Sequence, residues 1–426
     1  MLLHASSLFN LSVLGYSAAF ILDSLIVQTV YQLYFHPLAF SPSPRRAAIS
    51  TLWLYSVSKQ GRHETFEGLH KKYNTRSLPI APNKLDLSDS TSYHTMYSQH
   101  RTLTKTTDLE LRRQRRKALN SFSKSSIQSM QQILYSKVTI FASDYQMRES
   151  RCLTVDFITQ VAFGKSFGLL TKSGRTTFTA PFLQAFDLVA DGPARYFHRL
   201  LCTTKNNIDA YKKRRTTEEE LDHEVIFDKI LDVNDTELLA DAIDILAAGL
   251  DTTANTLAIA LEQLIKTPER FVKLKEKLKE AVLRYAMPVP RRLSCIVPKA
   301  SAGADSLVVD DNVIPPGVLV DISTYTVHFD EKTWGSDTRA LNSERWLTND
   351  AKHLEKYLIT FLKGARLGLG INHAYAEATL TLAILARRFS FGRDETMTDS
   401  DLEQFDTFTM GVGGSGFRAH VREVSA

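Results

Sequence analysis

Residues 246–254 read Leu-Ala-Ala-Gly-Leu-Asp-Thr-Thr-Ala, inside a stretch, Glu237 to Leu264, whose apolar residues recur at three-and-four spacing. The spacing predicts one long helix. Gly249, Asp251, Thr252 and Thr253 are poor or mediocre interior helix formers, so helix stability did not select them. Two readings stand side by side. Ala248 and Thr252 are one turn apart on one face, where small side chains let a flat ligand approach the backbone beside a hydroxyl and a carboxylate. Alternatively, the segment marks a tight helix crossing in which Thr252 bonds back to the preceding turn.

Outward from this segment, the same periodicity predicts helices over Leu119 to Phe141, Leu153 to Phe163 and Phe271 to Tyr285. Strand-like runs concentrate in Ser306 to Ser323, where two β-branched runs flank Pro315-Pro316-Gly317 and predict a small hairpin turning there. The fold class is mainly α with a small β-sheet region. Leu11 to Phe35 carries Asp23 as its one formal charge and is long enough for a single transmembrane helix. Asp23 would cost about 3 kcal/mol near mid-bilayer; a signal peptide and a buried core helix are the competing readings. Pro37, Pro42 and Pro44 then stop the helix, with Arg45 and Arg46 beyond them. The expected organisation is a membrane anchor over 1–35, a proline-rich hinge over 36–46 and one large domain over 47–426. By the distribution of basic residues, that domain faces the cytoplasm.

With 52 basic and 47 acidic residues, the net charge of +5 is spread as a solvated surface and argues against nucleic acid as a partner. Cys152, Cys202 and Cys295 are too few and too scattered for a disulfide framework or a metal site. No internal repeat directs the reading elsewhere.

The central stretch resembles the central helix of the cytochrome P450 enzymes, whose pattern of small residue, Gly, any residue, acid, Thr is matched by Ala248, Gly249, Leu250, Asp251 and Thr252. A second match is Phe361-Leu-Lys-Gly-Ala-Arg-Leu-Gly-Leu-Gly370, which is similar to that family's haem-binding loop: Phe, two residues, Gly, any, Arg, any, Cys, any, Gly. Phe361, Gly364, Arg366 and Gly370 are in register, and Gly368 occupies the cysteine position. Arg112-Arg-Gln-Arg-Arg-Lys-Ala-Leu-Asn-Ser-Phe-Ser123 resembles the helix whose arginine, here Arg116, reaches a haem propionate; by charge alone it reads as a solvated helix face. The segment ending at Arg284 resembles the family's Glu, two residues, Arg motif, but Ala281 holds the acid's place. Glu280 is one position away, about 100° round the helix. Its partner motif is Ser343-Glu344-Arg345-Trp346, and Cys295 stands where relatives often carry a further propionate-binding arginine.

The resemblance implies a P450-like fold with an N-terminal anchor. Its chain from the central helix to Arg284 is too short for the helices the family has there, through a deletion or a misplaced exon boundary. It also implies ancestral haem b, with Asp251 and Thr252 as a vestigial oxygen-activation pair and Arg116, Phe361, Gly364, Arg366 and Gly370 as a vestigial haem site. Arg284 and Arg345 are the structural pair, and two guanidiniums meeting without a carboxylate should strain the core. A thiolate ligand promotes oxygen–oxygen cleavage, and glycine has no side chain to offer. The expected protein is therefore an inactive homologue of fungal secondary metabolism in the endoplasmic reticulum membrane, with haem lost or weakly bound. Its ancestral partners are NADPH-cytochrome P450 reductase and a small apolar metabolite. An active monooxygenase, ligated through Cys295, and a non-catalytic anchored binding protein are the alternatives. His373, His328 and His36 read as structural.

Overall fold

The structure, a computed structural model, describes residues 2–58, 60, 64–97, 123–143, 150–170, 194–217, 223, 225–231, 233–266, 278–298, 307–364, 367–406, 409–412 and 418–424. The chain divides into two compact units, Met1–Thr106 with Arg292–Thr326, and Thr107–Arg291 with Val327–Ala426.

In the first unit, α1 (Leu2–Val30) continues into a π-helical turn at Tyr31–Phe35. Tyr16–Phe35 is long and apolar enough to cross a membrane and is not buried by the protein. The helix stops at His36, which is extended (φ −67°, ψ 142°), as the steric demand of the following Pro37 requires. Short α2 (Arg45–Ile49) and α3 (Thr51–Ser58) follow, then α4 (Glu64–Tyr73), with acids in its first turn and Lys71 and Lys72 in its last, complementing the helix dipole.

Strands β1 (Ser77–Ala81) and β2 (Lys84–Leu87) precede α5 (Ser90–Tyr97). With β3 (Cys295–Ile296) and β6 (Leu319–Asp321) they form a sheet of order β1-β2-β6-β3, in which β2 and β6 run parallel with Lys84 opposite Leu319. The expected hairpin is present but turns elsewhere. β4 (Val308–Val309) and β5 (Asn312–Val313) are joined by Asp310 and Asp311, at φ 51° and 61°, the backbone of a primed two-residue turn. Pro315-Pro316-Gly317 instead carries the chain to β6, which pairs in the other sheet. The Asp310 carboxylate accepts the Arg76 backbone N–H at 2.8 Å and its Nε–H at 2.6 Å, fixing the turn.

The second unit is built round two crossing helices, α8 (Ser150–Phe163) and α10 (Asp235–Lys266). The helix expected up to Phe141 is two, α6 (Lys124–Ser129) and α7 (Gln131–Ser143), separated at Met130; residues 119–122 lie outside the described residues. α9 (Ala194–Thr216), α11 (Leu278–Ala286) and α12 (Ile371–Arg388) complete its main helices, and residues 271–277 of the predicted fourth helix also lie outside. α8 is buried nearly all round, with Leu153, Val155, Phe157, Ile158, Val161 and Phe163 in one core, each side chain contributing about 1.5–3 kcal/mol of burial. Two-stranded sheets pair β7 (Phe389–Arg393) with β10 (Ala419–Glu423), and β8 (Gln404–Asp406) with β9 (Met410–Val412). The architecture is mostly helical with small sheets, as the fold-class expectation has it.

Candidate functional site

The centre of α10 is clasped by one face of α8. Ile158 lies so close to Gly249 that a Cβ added there would stand 2.8 Å from its Cγ1, a distance no side chain tolerates without movement. One turn and two turns earlier on α8, Thr154 Oγ1 donates to Leu250 O at 3.0 Å, and Arg151 Nε pairs with Asp251 Oδ1 at 2.9 Å. Thr409 Oγ1 also donates to Asp251 Oδ2, at 3.4 Å. Thr252 Oγ1 bonds back to Ala248 O at 2.6 Å. Both features of the crossing reading, the close approach and the back-bond, are therefore present. Ala248 is nevertheless exposed, so the small-residue face is open as well. Sequence reasoning missed Arg151, Thr154 and Ile158. Their spacing along one helix face was the available signal, but nothing local names the partner.

The described residues of the loop 361–370 form backbone turns. Gly368 N–H donates to Phe361 O at 2.8 Å, and Leu367 N–H to Gly364 O at 3.2 Å. Gly364 has φ 60°, where glycine is free of the penalty other residues meet, and Leu362 accepts that penalty at φ 59°. Gly370 caps α12 without a side-chain bond. At Gly368, an added Cβ would meet Phe361 O at 3.6 Å and Phe361 Cδ1 at 3.7 Å, ordinary contact. The backbone therefore accepts a side chain that the sequence does not provide. Arg366 and Arg116 lie outside the described residues.

The loop offers neither thiol nor imidazole, so haem-thiolate ligation does not fit the residues present. Cys152 is buried in α8, Cys295 is buried in β3 of the first unit, and Cys202 lies on the exposed side of α9 with its Sγ 3.5 Å from His198 Nε2. His373, on the first turn of α12, is buried with its ring stacked on Phe157 at 4.7 Å and Nε2 3.6 Å from Glu377 Oε2. Burial pushes His373 down to about 4 and holds Glu377 well above the usual carboxylate range. Neither side chain has a hydrogen-bond partner among the described residues.

The Arg284 region is organised differently. Arg284 is 1 % exposed; its Nη1 donates to His328 O (2.6 Å) and Thr338 Oγ1 (3.3 Å), and its Nη2 to Thr338 O (2.8 Å) and Ala340 O (3.0 Å). The guanidinium also lies 5.0 Å from the centre of the Trp334 ring. Burial, with Arg345 nearby, pulls it down to about 9. Arg345 has its own carboxylate, Asp337 at 3.0 Å, and donates to Asn342 O at 3.1 Å. Ala281, in the expected acid position, is packed with Trp334, Trp346 and Leu354. Glu280 acts elsewhere: burial first, then Glu280 and Glu355, pushes Tyr375 up to about 12. His328 accepts the Ile359 N–H at Nε2 (3.0 Å), which puts its proton on Nδ1, donated to Arg284 O at 2.9 Å. Burial pushes it down to about 3.

The sequence model of the cytochrome P450 family matches residues 177–289 and 278–413, two stretches that meet at the helix of Arg284. Among curated proteins, cytochrome P450 monooxygenase aflU of Aspergillus parasiticus is 28% identical, covering 87% of this chain and 90% of its own. Cytochrome P450 monooxygenase MO6277 of Ascocoryne sarcoides is 27% identical, covering 94% and 96%. Cytochrome P450 monooxygenase pbrB of Penicillium brasilianum is 25% identical, covering 91% of each. The match to MO6277 runs over 503 residues against a chain of 426, so that relative carries segments this chain lacks. With more than half its length matched by the family and fungal relatives similar over most of it, the chain belongs to the cytochrome P450 family.

Proposed function

We propose that this P450 homologue is an anchored protein of fungal secondary metabolism that has lost oxygenase activity, because Gly368 occupies the axial cysteine position and Ala281 the glutamate position before Arg284. The observation that carries the reading is Gly368 itself, the residue out of pattern in a loop whose other motif positions are kept. In P450 chemistry the haem thiolate drives oxygen–oxygen cleavage, and no residue of this loop can supply it. Asp251 and Thr252 are then a vestige, with Asp251 engaged by Arg151 and Thr252 by Ala248. Phe361, Gly364, Gly370, Arg116 and Arg366 are the remnant of the haem site, and haem is lost or held weakly. Tyr16–Phe35 is the single-pass anchor in the endoplasmic reticulum membrane, with the body on the cytoplasmic side and the reductase as an ancestral partner. A retained role is binding a small apolar metabolite or a protein partner without turnover.

The test is the reduced carbon monoxide difference spectrum of the full chain in membranes supplied with haem, read beside Gly368→Cys. The native chain is expected to show no thiolate-type Soret band. The variant is expected to gain one, since the loop accepts a Cβ in ordinary contact. A thiolate-type band in the native chain would overturn the reading and direct attention to Cys295.

A further inference from the structure

We infer that a groove between α6, α7 and the first turns of α12 is a binding site for a small neutral molecule that carries a cyclic amide. The sequence predicts one helix up to Phe141, and the chain instead breaks at Met130 into α6 and α7. Both pieces pack on α12, held by Ile127, Met130 and Leu134 in the same core as Leu382 and Leu385. Where they meet α12 lies a groove of about 410 Å³, inside the range of small-molecule sites. Ile127, Ile371 and Ala376 form its apolar part. Gln128, Gln131, Asn372 and Tyr375 complete it. Gln128 and Gln131 are exposed, so the groove opens to solvent, and neither carboxamide is engaged by another described residue.

The lining selects its ligand by charge and by shape. None of the lining side chains carries a charge: burial first, then Glu280 and Glu355, pushes Tyr375 up to about 12, so its hydroxyl stays protonated. The same two acids disfavour an anion, and a cation would give up its hydration with no carboxylate in the lining to receive it. A primary carboxamide presents a carbonyl acceptor and an N–H donor side by side. A cyclic amide, held cis by its ring, presents the complementary donor and acceptor along one edge, so a Gln or Asn side chain can form two parallel hydrogen bonds with it. An open-chain secondary amide is trans and lacks that edge. The apolar body of the ring then lies on Ile127, Ile371 and Ala376. Tyr375 forms a wall backed by Phe361, whose ring lies 5.4 Å away. None of the lining residues is a haem-motif position, so the inference is independent of the lost oxygenase activity.

The full chain in lipid nanodiscs is titrated into a ring-fluorinated carbostyril, a bicyclic lactam, and the fluorine NMR line width is read against empty nanodiscs. The N-methyl derivative, which lacks the donor, is the comparison. Saturable broadening is expected for the lactam, and binding about tenfold weaker for the N-methyl compound, which leaves a carboxamide acceptor unpaired. Ala376→Trp, which fills the groove, is expected to abolish the broadening. Gln128→Leu with Gln131→Leu and Asn372→Leu is expected to bring the two compounds to equal affinity, and circular dichroism checks the fold of each variant. If Ala376→Trp does not fold, the leucine variant carries the test. A native chain without saturable broadening overturns the proposal. So does broadening that both variants leave unchanged, which puts the ligand elsewhere, and so does equal binding of the two compounds by the native chain, which removes the amide edge.

Discussion

Two regions depart from the P450 pattern by one side chain each, and the consequences differ. At Gly368 the backbone has room for a side chain, and the sequence supplies none. At Ala281 the carboxylate is gone, yet Arg284 retains four acceptors from His328, Thr338 and Ala340, and Arg345 turns to Asp337. The expected strain between two unpartnered guanidiniums is thereby divided and relieved. A structural cation can be shared among backbone carbonyls, which every segment has. An axial ligand to iron must be one atom with one chemistry, and no arrangement of carbonyls substitutes for a thiolate.

The contrast can be broken most forcefully at Arg284. Arg284→Leu leaves the Thr338 and Ala340 carbonyls without the guanidinium, while His328 O keeps the Thr338 hydroxyl, and is expected to cost about 3 kcal/mol, seen as a lower urea midpoint in micelles; a loss below about 1 kcal/mol would show that the carbonyl cage does not hold the fold. His373 sharpens the loop side. Its folded-state value of about 4 lies below the unfolded 6.5, so the native state resists protonation and stability falls as the pH drops from 6.5 towards 4. Glu377, beside it, is shifted upward by burial and contributes a slope of the opposite sign, which is present with and without His373. The share that belongs to His373 is about 3 kcal/mol, and it should appear as the difference between the stability–pH profiles of the native chain and His373→Leu. His328, at about 3, keeps a slope of the same sign in both proteins.

Ala281→Glu puts the acid back. It is expected to destabilise by about 1–3 kcal/mol rather than rescue, because the site is filled by Trp334, Trp346 and Leu354 and Arg284 already has its partners; a rise in thermal midpoint would mean the cage is a poor replacement. The smallest effect belongs to Gly368→Ala. With ordinary contacts and no left-handed backbone there, alanine should stabilise by about 0.4–1 kcal/mol by restricting the unfolded chain.

The long helix round Gly249 was legible because thirty-two residues of consistent spacing outweigh a few poor helix formers. The hairpin was legible as a hairpin, but its turn was not. Pro-Pro-Gly is the louder signal, while Asp310 and Asp311 adopt left-handed backbone on the strength of a carboxylate reaching Arg76, far off in sequence. The clasp of Arg151, Thr154 and Ile158 on α10 was hidden for the same reason. The carbonyl cage round Arg284 was unreadable in principle, since backbone acceptors are present at every position and carry no residue code. Gly368 needed no structure to be noticed. That its loop would accept a side chain did.

The contact between Gly249 and Ile158 bears on how sequence patterns are trusted. A side chain at Gly249 must push Ile158 aside whether or not any iron is ever bound, so the helix contact by itself favours glycine there. In a lineage drifting away from oxidation, the letter that a pattern search counts towards enzymatic identity would be among the last to change. Such letters record how two helices touch; Gly368 records what the pocket can still do.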